Sequence, residues 1–100
     1  MNTNELIELF ETHNIEYKKF SSIPKESKLH NRPDLCALLK LDKLAPNEGM
    51  KILSNEYDYK LYISVQLNKV LNIITEDDVI YLLRCGVLFC VEYEAFYFNI

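Results

Sequence analysis

Apolar residues recur along the chain with two periods, one typical of helices and one typical of strands. The helical spacing i, i+3, i+4, i+7 comes first, at Leu6, Leu9, Phe10 and His13. It predicts a helix from about Thr3 to His13, capped by Asn2 or Thr3. A second helix is expected to start at Pro33, because proline fits the first helical position, and to end before Pro46. A buried strand over 36–41 is the alternative for that segment.

The strongest local signal in the chain is Thr75-Glu76-Asp77-Asp78, which is typical of a helix start. Threonine caps the free backbone N–H groups, and the acids lie at the positive end of the helix dipole. The predicted helix ends at Gly86, a C-cap glycine. The alternative role for the three acids is a metal or partner site. Consecutive side chains point in different directions, which favours capping.

Alternation with period two predicts strands in the second half of the chain. In 59–68 the odd-numbered residues are apolar or aromatic and the even-numbered ones are mostly polar, so we predict a strand with one buried and one solvated face. The partner strand is expected at Met50–Leu53, with the turn at Asn55–Asp58. A short helix or turn is expected at Asn68–Ile74.

Three further strands complete the predicted sheet: Ile15–Phe20, Val87–Glu92 and Ala95–Ile100. The run Val87–Val91 is apolar on both faces, as in a central strand. With two to three helices, this order predicts a small single α+β domain over residues 1–100, with a mainly antiparallel sheet of about four to five strands.

Charge is distributed unevenly, although the net charge is only −4. Residues 18–43 hold seven lysines and arginines against three acids, whereas the segments on either side are acidic. This basic block contains the long non-periodic stretch Ser21–Pro33, and long loops are often functional. The candidate contact residues in it are Lys25, Lys28, His30 and Arg32. A solvated loop that complements the acidic first helix is the simpler interpretation.

Tyrosine is the second candidate for recognition, because it buries area while keeping a polar tip. Of the seven tyrosines, Tyr57 and Tyr62 lie on the predicted hairpin and are chosen as contact residues. Tyr93 and Tyr97 lie near the terminal turn. The alternative is that these side chains only pack in the core or decorate the sheet.

Catalytic and cofactor motifs are missing from the sequence. Phosphate-binding loops need several glycines, and only Gly49 and Gly86 are present. His13 and His30 lie too far apart for a zinc-ligand pair, and Cys85 and Cys90 do not fit that spacing either. We therefore predict no enzyme, no cofactor and no metal.

No apolar run approaches the roughly 18 residues of a membrane helix, and Met1–Glu5 lacks the basic region of a signal peptide. We therefore expect no membrane association, and three reduced cysteines in the cytoplasm of a bacterial host.

Three stretches resemble small proteins of bacteriophages and related mobile elements that have no assigned activity: Leu38–Pro46, Asp58–Val65, and Thr75–Val87 with its Arg84-Cys85-Gly86-Val87 ending. The resemblance covers about the last two-thirds of the chain. It implies a host-directed binding role and transfers no site residue.

The resulting hypothesis is a non-enzymatic protein-binding module, an inhibitor of a host protein encoded by a phage or plasmid. The Ser21–Pro33 loop and the Tyr57–Tyr62 hairpin are its expected contact surfaces. One alternative is a nucleic-acid accessory protein that uses the basic 18–32 segment. Another is a structural homo-oligomer, such as a homodimer, that pairs through the strand ending at Ile100 if this strand lies at an edge.

Overall fold

The computed structural model describes residues 1–100 and contains four α-helices and four β-strands. The helices are α1 (Thr3–Thr12), α2 (Pro33–Leu44), α3 (Leu67–Ile73) and α4 (Glu76–Arg84). The strands are β1 (Leu53–Tyr57), β2 (Lys60–Ile63), β3 (Val87–Cys90) and β4 (Ala95–Asn99). They form one antiparallel sheet with the order β1-β2-β4-β3. The predicted α+β class is confirmed, and the helix-or-turn segment supplies a fourth helix.

The predicted helix starts are confirmed by their capping bonds. The Asn2 side chain accepts from the Glu5 backbone N–H at 2.8 Å, and Glu5 bonds back to the Asn2 N–H. Thr75 and Asp78 form the same reciprocal pair at the start of α4. Each box satisfies two N–H groups that a helix start leaves unpaired, so local sequence alone fixes where these helices begin.

The core lies between the helices and one face of the sheet. Phe96 of β4 is fully buried at its centre, and its ring centroid lies 6.0 Å from Phe10 of α1 and 5.2 Å from Phe89 of β3. Leu82 and Leu83 of α4 are also completely buried. Because the helices pack on this face, the opposite face is left without a helical cover; it is called the outer face below.

The expected central position of the Val87–Val91 strand is wrong, because β3 lies at an edge of the sheet. The strand is apolar on both sides because each of its faces has apolar neighbours. Val87 and Phe89 pack in the core, and Leu88 lies opposite Tyr97 on the outer face. The final strand, β4, is an interior strand between β2 and β3. Pairing of two chains through that strand therefore lacks the free edge it requires.

The predicted strand at Ile15–Phe20 is also wrong. This segment forms two 3₁₀ turns, Asn14–Glu16 and Phe20–Ser22, and Ile15 is 71% exposed. Lys18 between the turns has a φ of 63°, which ordinary strand geometry does not allow. Its backbone N–H donates to the Leu83 carbonyl at 2.9 Å. The segment is therefore held against the C-terminal end of α4 instead of pairing with the sheet.

The predicted hairpin is present, but its turn begins at Asp58, three residues after the expected start at Asn55. Tyr57 pairs with Lys60, so the turn consists of Asp58 and Tyr59 alone. Both have positive φ, 54° and 61°, as a type I′ turn requires. Tyr62 lies on the face opposite the core, as the alternation predicts, but is only 8% exposed, whereas Tyr59 lies in the turn and is 75% exposed. The left-handed turn points Tyr59 into solvent, and other tyrosines cover Tyr62.

Candidate functional site

The outer face of the sheet carries four tyrosines, Tyr57, Tyr62, Tyr93 and Tyr97, which we call the tyrosine face. Tyr62 of β2 lies directly opposite Tyr97 of β4, with their ring centroids 5.9 Å apart. The Tyr93 ring meets the Tyr62 ring edge-on, at 5.7 Å and 90°. Tyr57 and Tyr93 remain 65% and 55% exposed. Two largely exposed aromatic side chains therefore surround a buried one on a face that no helix covers.

A shallow pocket of about 610 Å³ opens on the tyrosine face. Its lining is formed by Ser54, Asn55, Glu56, Tyr57, Tyr62, Tyr93 and Ala95. A register irregularity between Leu53 and Glu56 bends β1, since an extra residue in one strand of a pair bends that strand. Bent β1 forms one wall, Tyr62 lies between the walls, and the β3–β4 turn forms the other. We call this the tyrosine pocket.

Acidic residues lie near the tyrosine pocket. Glu56 is part of its lining, although its pairing with Leu61 places its side chain on the other face of β1, and Glu92 and Glu94 flank Tyr93 in the exposed β3–β4 turn. The cation of this face is Lys60, whose ammonium lies 5.2 Å from the Tyr97 ring centroid. Glu92 and Lys60 act on Tyr93 with opposite sign, so the tyrosine pocket is aromatic and polar and has charges of both signs around it.

Two phenols in the pocket, those of Tyr62 and Tyr93, have raised pKa values. Burial and the hydrogen bond that Tyr62 donates to the Cys90 thiol raise the pKa of Tyr62 to about 12. The Glu92 carboxylate raises the pKa of Tyr93, because ionisation would place a second negative charge beside it. Both hydroxyl groups therefore remain neutral at physiological pH.

The second predicted surface, the basic loop, lies elsewhere on the molecule. Lys25, His30 and Arg32 are exposed, while Lys28 is half-buried with its ammonium 4.5 Å from the Phe20 ring centroid. His30 Nδ1 accepts from the Arg32 backbone N–H at 3.1 Å, where the chain enters α2. The structure thus groups these four residues on the loop and places Tyr57 and Tyr62 together on the sheet, as two separate surfaces.

Tyr81 of α4 fixes the basic loop against the helices. Its hydroxyl donates to the Ser27 carbonyl at 2.9 Å and accepts from the Leu29 N–H at 3.1 Å. The Cys36 sulfur lies 2.9 Å from the same oxygen. Ile23, 3% exposed, inserts into the core from within the loop. The predicted long loop is therefore an ordered segment, with its backbone tied to one helical side chain.

The two buried thiols beside Tyr81 have opposite pKa shifts. Burial opposes ionisation of Cys36, but hydrogen bonds with Tyr81 and with the His30 and Leu29 backbone lower its pKa overall. Burial and the neighbouring Cys36 raise the pKa of Cys85. Cys36 meets the His30 backbone and not its imidazole, and the Cys36 side chain is fully buried. The geometry therefore shows no thiol–imidazole pair of the kind that a cysteine nucleophile needs.

The three acids at the start of α4 each have a different environment. Asp78 closes the capping box and its carboxylate lies 2.8 Å from the Lys40 ammonium. Glu76 lies 2.6 Å from His13 Nε2 at the end of α1. Asp77 is exposed. Capping and the ion pair with Lys40 account for Asp78, and a hydrogen bond with His13 accounts for Glu76. No group of three or more His, Cys, Asp or Glu is arranged to hold a metal ion.

The sequence reasoning chose two of the tyrosines and missed the rest of the pocket. Glu56 and Ala95 gave no signal, because only the strand register brings β1 and β4 to the same pocket. Tyr93 and Tyr97 stood near a predicted turn, but their approach to Tyr62 depends on the β2–β4 pairing. That pairing joins segments more than thirty residues apart in the chain.

No α-helix of the structure has the length and apolar composition needed to cross a bilayer. Comparison with known protein families, with curated proteins and with solved structures finds no match to this chain.

Proposed function

We propose that this protein is a non-enzymatic protein-binding module whose contact surface is the tyrosine face. The observation that carries the proposal is the exposure of Tyr57 and Tyr93 beside the buried Tyr62 on a sheet face without a helix. Binding energy at protein interfaces concentrates in such aromatic anchors, because their large area loses water at low cost in side-chain entropy. An inhibitor of a bacterial host protein, encoded by a phage or plasmid, is the form of this function that we propose.

The acidic rim of the tyrosine face indicates the kind of protein that it fits. Glu92 and Glu94 are exposed on either side of Tyr93 and give this end of the face two negative charges. Complementary charge speeds encounter and disfavours acidic competitors, so a partner with a basic surface is favoured. Proteins that handle nucleic acid carry such surfaces.

The test is capture of partners from a bacterial lysate by the tagged full chain, quantified by mass spectrometry after nuclease treatment. The decisive contrast is between two double variants: Tyr57→Ala with Tyr93→Ala on the tyrosine face, and Lys25→Ala with Arg32→Ala on the basic loop. All four side chains are exposed, so both variants should fold.

We expect a stoichiometric protein that survives nuclease, is lost with the tyrosine variant and is kept with the loop variant. Capture that depends on nucleic acid and on Lys25 and Arg32 would overturn the proposal in favour of the nucleic-acid alternative. In that case affinity would also fall steeply with salt, as counterions are released from phosphates.

A further inference from the structure

Helix α2 presents apolar side chains to solvent as well as to the core. Its core side contains Cys36, Ala37 and Leu41, all fully buried, and the helix packs against α3 and α4. On its outward side, Leu35 and Leu39 are 39% and 42% exposed. A helix that is apolar on opposite sides is normally covered on both of them. The outward side of α2 is therefore an apolar surface that the single chain leaves uncovered.

Four exposed residues form a row along this outward side, which we call the α2 seam: Arg32, Leu35, Leu39 and Asp42. Their spacing of three, four and three residues is the heptad spacing that keeps side chains on one stripe of a helix. Arg32 directly precedes the helix, and Asp42 lies in its last turn. The two leucines are thus flanked by a cation at one end and an anion at the other.

The two charges of the α2 seam have no ion-pair partner within the chain. Neither Arg32 nor Asp42 takes part in any ion pair of the structure. Lys40 of the same helix, in contrast, lies 2.8 Å from Asp78 of α4. The charge that faces the rest of the chain is paired, and the two charges on the outward side are free to pair with another molecule.

The α2 seam is complementary to itself. If two α2 helices are antiparallel about a two-fold axis midway between Leu35 and Leu39, each Leu35 faces the Leu39 of the second copy. The same alignment places Arg32 of each copy near Asp42 of the other, which gives two ion pairs. A two-fold interface requires this reciprocity, because residue i contacts residue j and residue j contacts residue i.

Other alignments and other partners fit the α2 seam less well. Parallel helices would bring like charges together, whereas antiparallel helices also place opposite ends of their dipoles side by side. A nucleic acid or an acidic lipid surface would be attracted by Arg32 but repelled by Asp42. The sequence of cation, leucine, leucine and anion therefore favours a second copy of the same seam.

We propose that the chain forms a two-fold homodimer in which antiparallel α2 helices pair through the α2 seam. The tyrosine face lies on the side of the sheet away from the helices, so the dimer leaves both tyrosine faces free. A helix of 12 residues is about 18 Å long, which makes this a small interface. We therefore expect a weak dimer, with a dissociation constant on the order of 100 µM.

The experiment is sedimentation equilibrium of the full chain from about 10 µM to 1 mM, a range that includes the expected dissociation constant. Leu39→Ser should weaken the dimer at least about tenfold, because the contact is lost twice in a two-fold interface. The control is the double variant Tyr57→Ala with Tyr93→Ala, which should leave dimerisation unchanged. Circular dichroism of each variant establishes that the fold is intact.

An exchange of charges tests the antiparallel alignment. Arg32→Asp and Asp42→Arg should each weaken the dimer roughly fivefold, because each change brings like charges together twice. The double variant should restore the dissociation constant to within about twofold of the wild type, because the opposite charges meet again. Aspartate favours a helix N-cap and arginine favours the last turn, so neither change should unfold α2.

A chain that stays monomeric at the highest concentration would overturn the inference. A dimer that tolerates Leu39→Ser, or one that the double charge exchange fails to restore, would overturn it as well. If the chain is monomeric and Leu39→Ser prevents capture of a lysate protein, the seam binds a different protein and not a second copy. Because the dimer and the proposed partner use different surfaces, either proposal can fail without the other.

Discussion

The position of the basic loop depends on one atom, the hydroxyl oxygen of Tyr81. It accepts from the Leu29 N–H, donates to the Ser27 carbonyl and lies within bonding distance of the Cys36 sulfur. Tyr81→Phe removes this oxygen and keeps the ring. Two loop backbone groups then lose their partner, and one of them, the Leu29 N–H, lies on a half-buried residue.

The magnitude follows from these lost partners. Each net hydrogen bond contributes about 1 kcal/mol, and leaving a buried donor unpaired costs about 1–3 kcal/mol. We therefore expect Tyr81→Phe to lower the free energy of unfolding by about 2–3 kcal/mol. In a domain of this size, that corresponds to a Tm lower by roughly 8–24 °C, since 1 kcal/mol shifts Tm by about 4–8 °C.

Tyr17→Phe is the control variant, because we expect it to change the free energy of unfolding in the opposite direction. The Tyr17 hydroxyl is buried and has no hydrogen-bond partner in the structure. Tyr17→Phe removes the same atom from the same residue type, but it relieves an unpaired polar group instead of creating one. We expect this variant to be neutral or up to about 1 kcal/mol more stable.

The assay is urea denaturation followed by circular dichroism, with thermal melts as a second measure. At a slope of about 1.5 kcal/mol per molar urea, Tyr81→Phe should move the midpoint down by roughly 1.5–2 M and Tyr17→Phe slightly up. Hydrogen exchange should show the largest loss of protection at Leu29. Equal shifts of the two variants, or a loss below about 0.5 kcal/mol for Tyr81→Phe, would refute this reasoning.

Three smaller predictions concern backbone strain and pH. Tyr59→Gly should stabilise the protein by about 0.5–1 kcal/mol in urea denaturation, because glycine adopts the positive φ of the turn without strain; a loss of stability would contradict the type I′ assignment. Gly86→Ala should destabilise the protein by about 1 kcal/mol, because φ is 91° at this position and alanine is strained there. The added methyl group causes no clash, since its nearest neighbour is Lys18 Cγ at 3.8 Å. An unchanged urea midpoint would show that the backbone strain is relieved. Asp78→Asn should cost about 1 kcal/mol at neutral pH. Burial opposes ionisation of Asp78, but Lys40 and the Thr75 N–H outweigh it, so the folded pKa lies below the unfolded value. The contribution of the carboxylate is therefore complete above about pH 4 and is lost as the pH falls through the lowered pKa, so the gap between Asp78→Asn and wild type should close in acid unfolding curves.

Local sequence predicted the features that depend on a few consecutive residues. The capping boxes of Asn2 and Thr75 and the glycine stop at Gly86 depend on backbone groups within a single turn. The start of α2 at Pro33 follows from the fixed φ of proline. These features do not depend on what packs against them, so the helix positions and the α+β class followed from the sequence.

Strand order, exposure and the candidate pocket could not be predicted in this way. The apolar run at Val87–Val91 fits a central strand, and it fits equally well an edge strand whose second face lies against a tyrosine. The alternation puts Tyr62 on the solvated face, and it is buried because Tyr97 of β4 and Tyr93 of the β3–β4 turn pack against it. Ile15–Phe20 looked like a strand, but the hydrogen bond from Lys18 to Leu83 holds it on α4.

The sequence by itself determined where the helices begin, which face of each is apolar, and that six of the seven tyrosines lie in the second half of the chain. Only the tertiary structure decided that Glu56, Tyr62 and Tyr93 share one pocket, and that this pocket lies apart from the basic loop. The physical reason is that caps and periodicity are short-range. The pocket instead depends on the register of strands that are distant in the chain, and burial of the common core around Phe96 fixes that register.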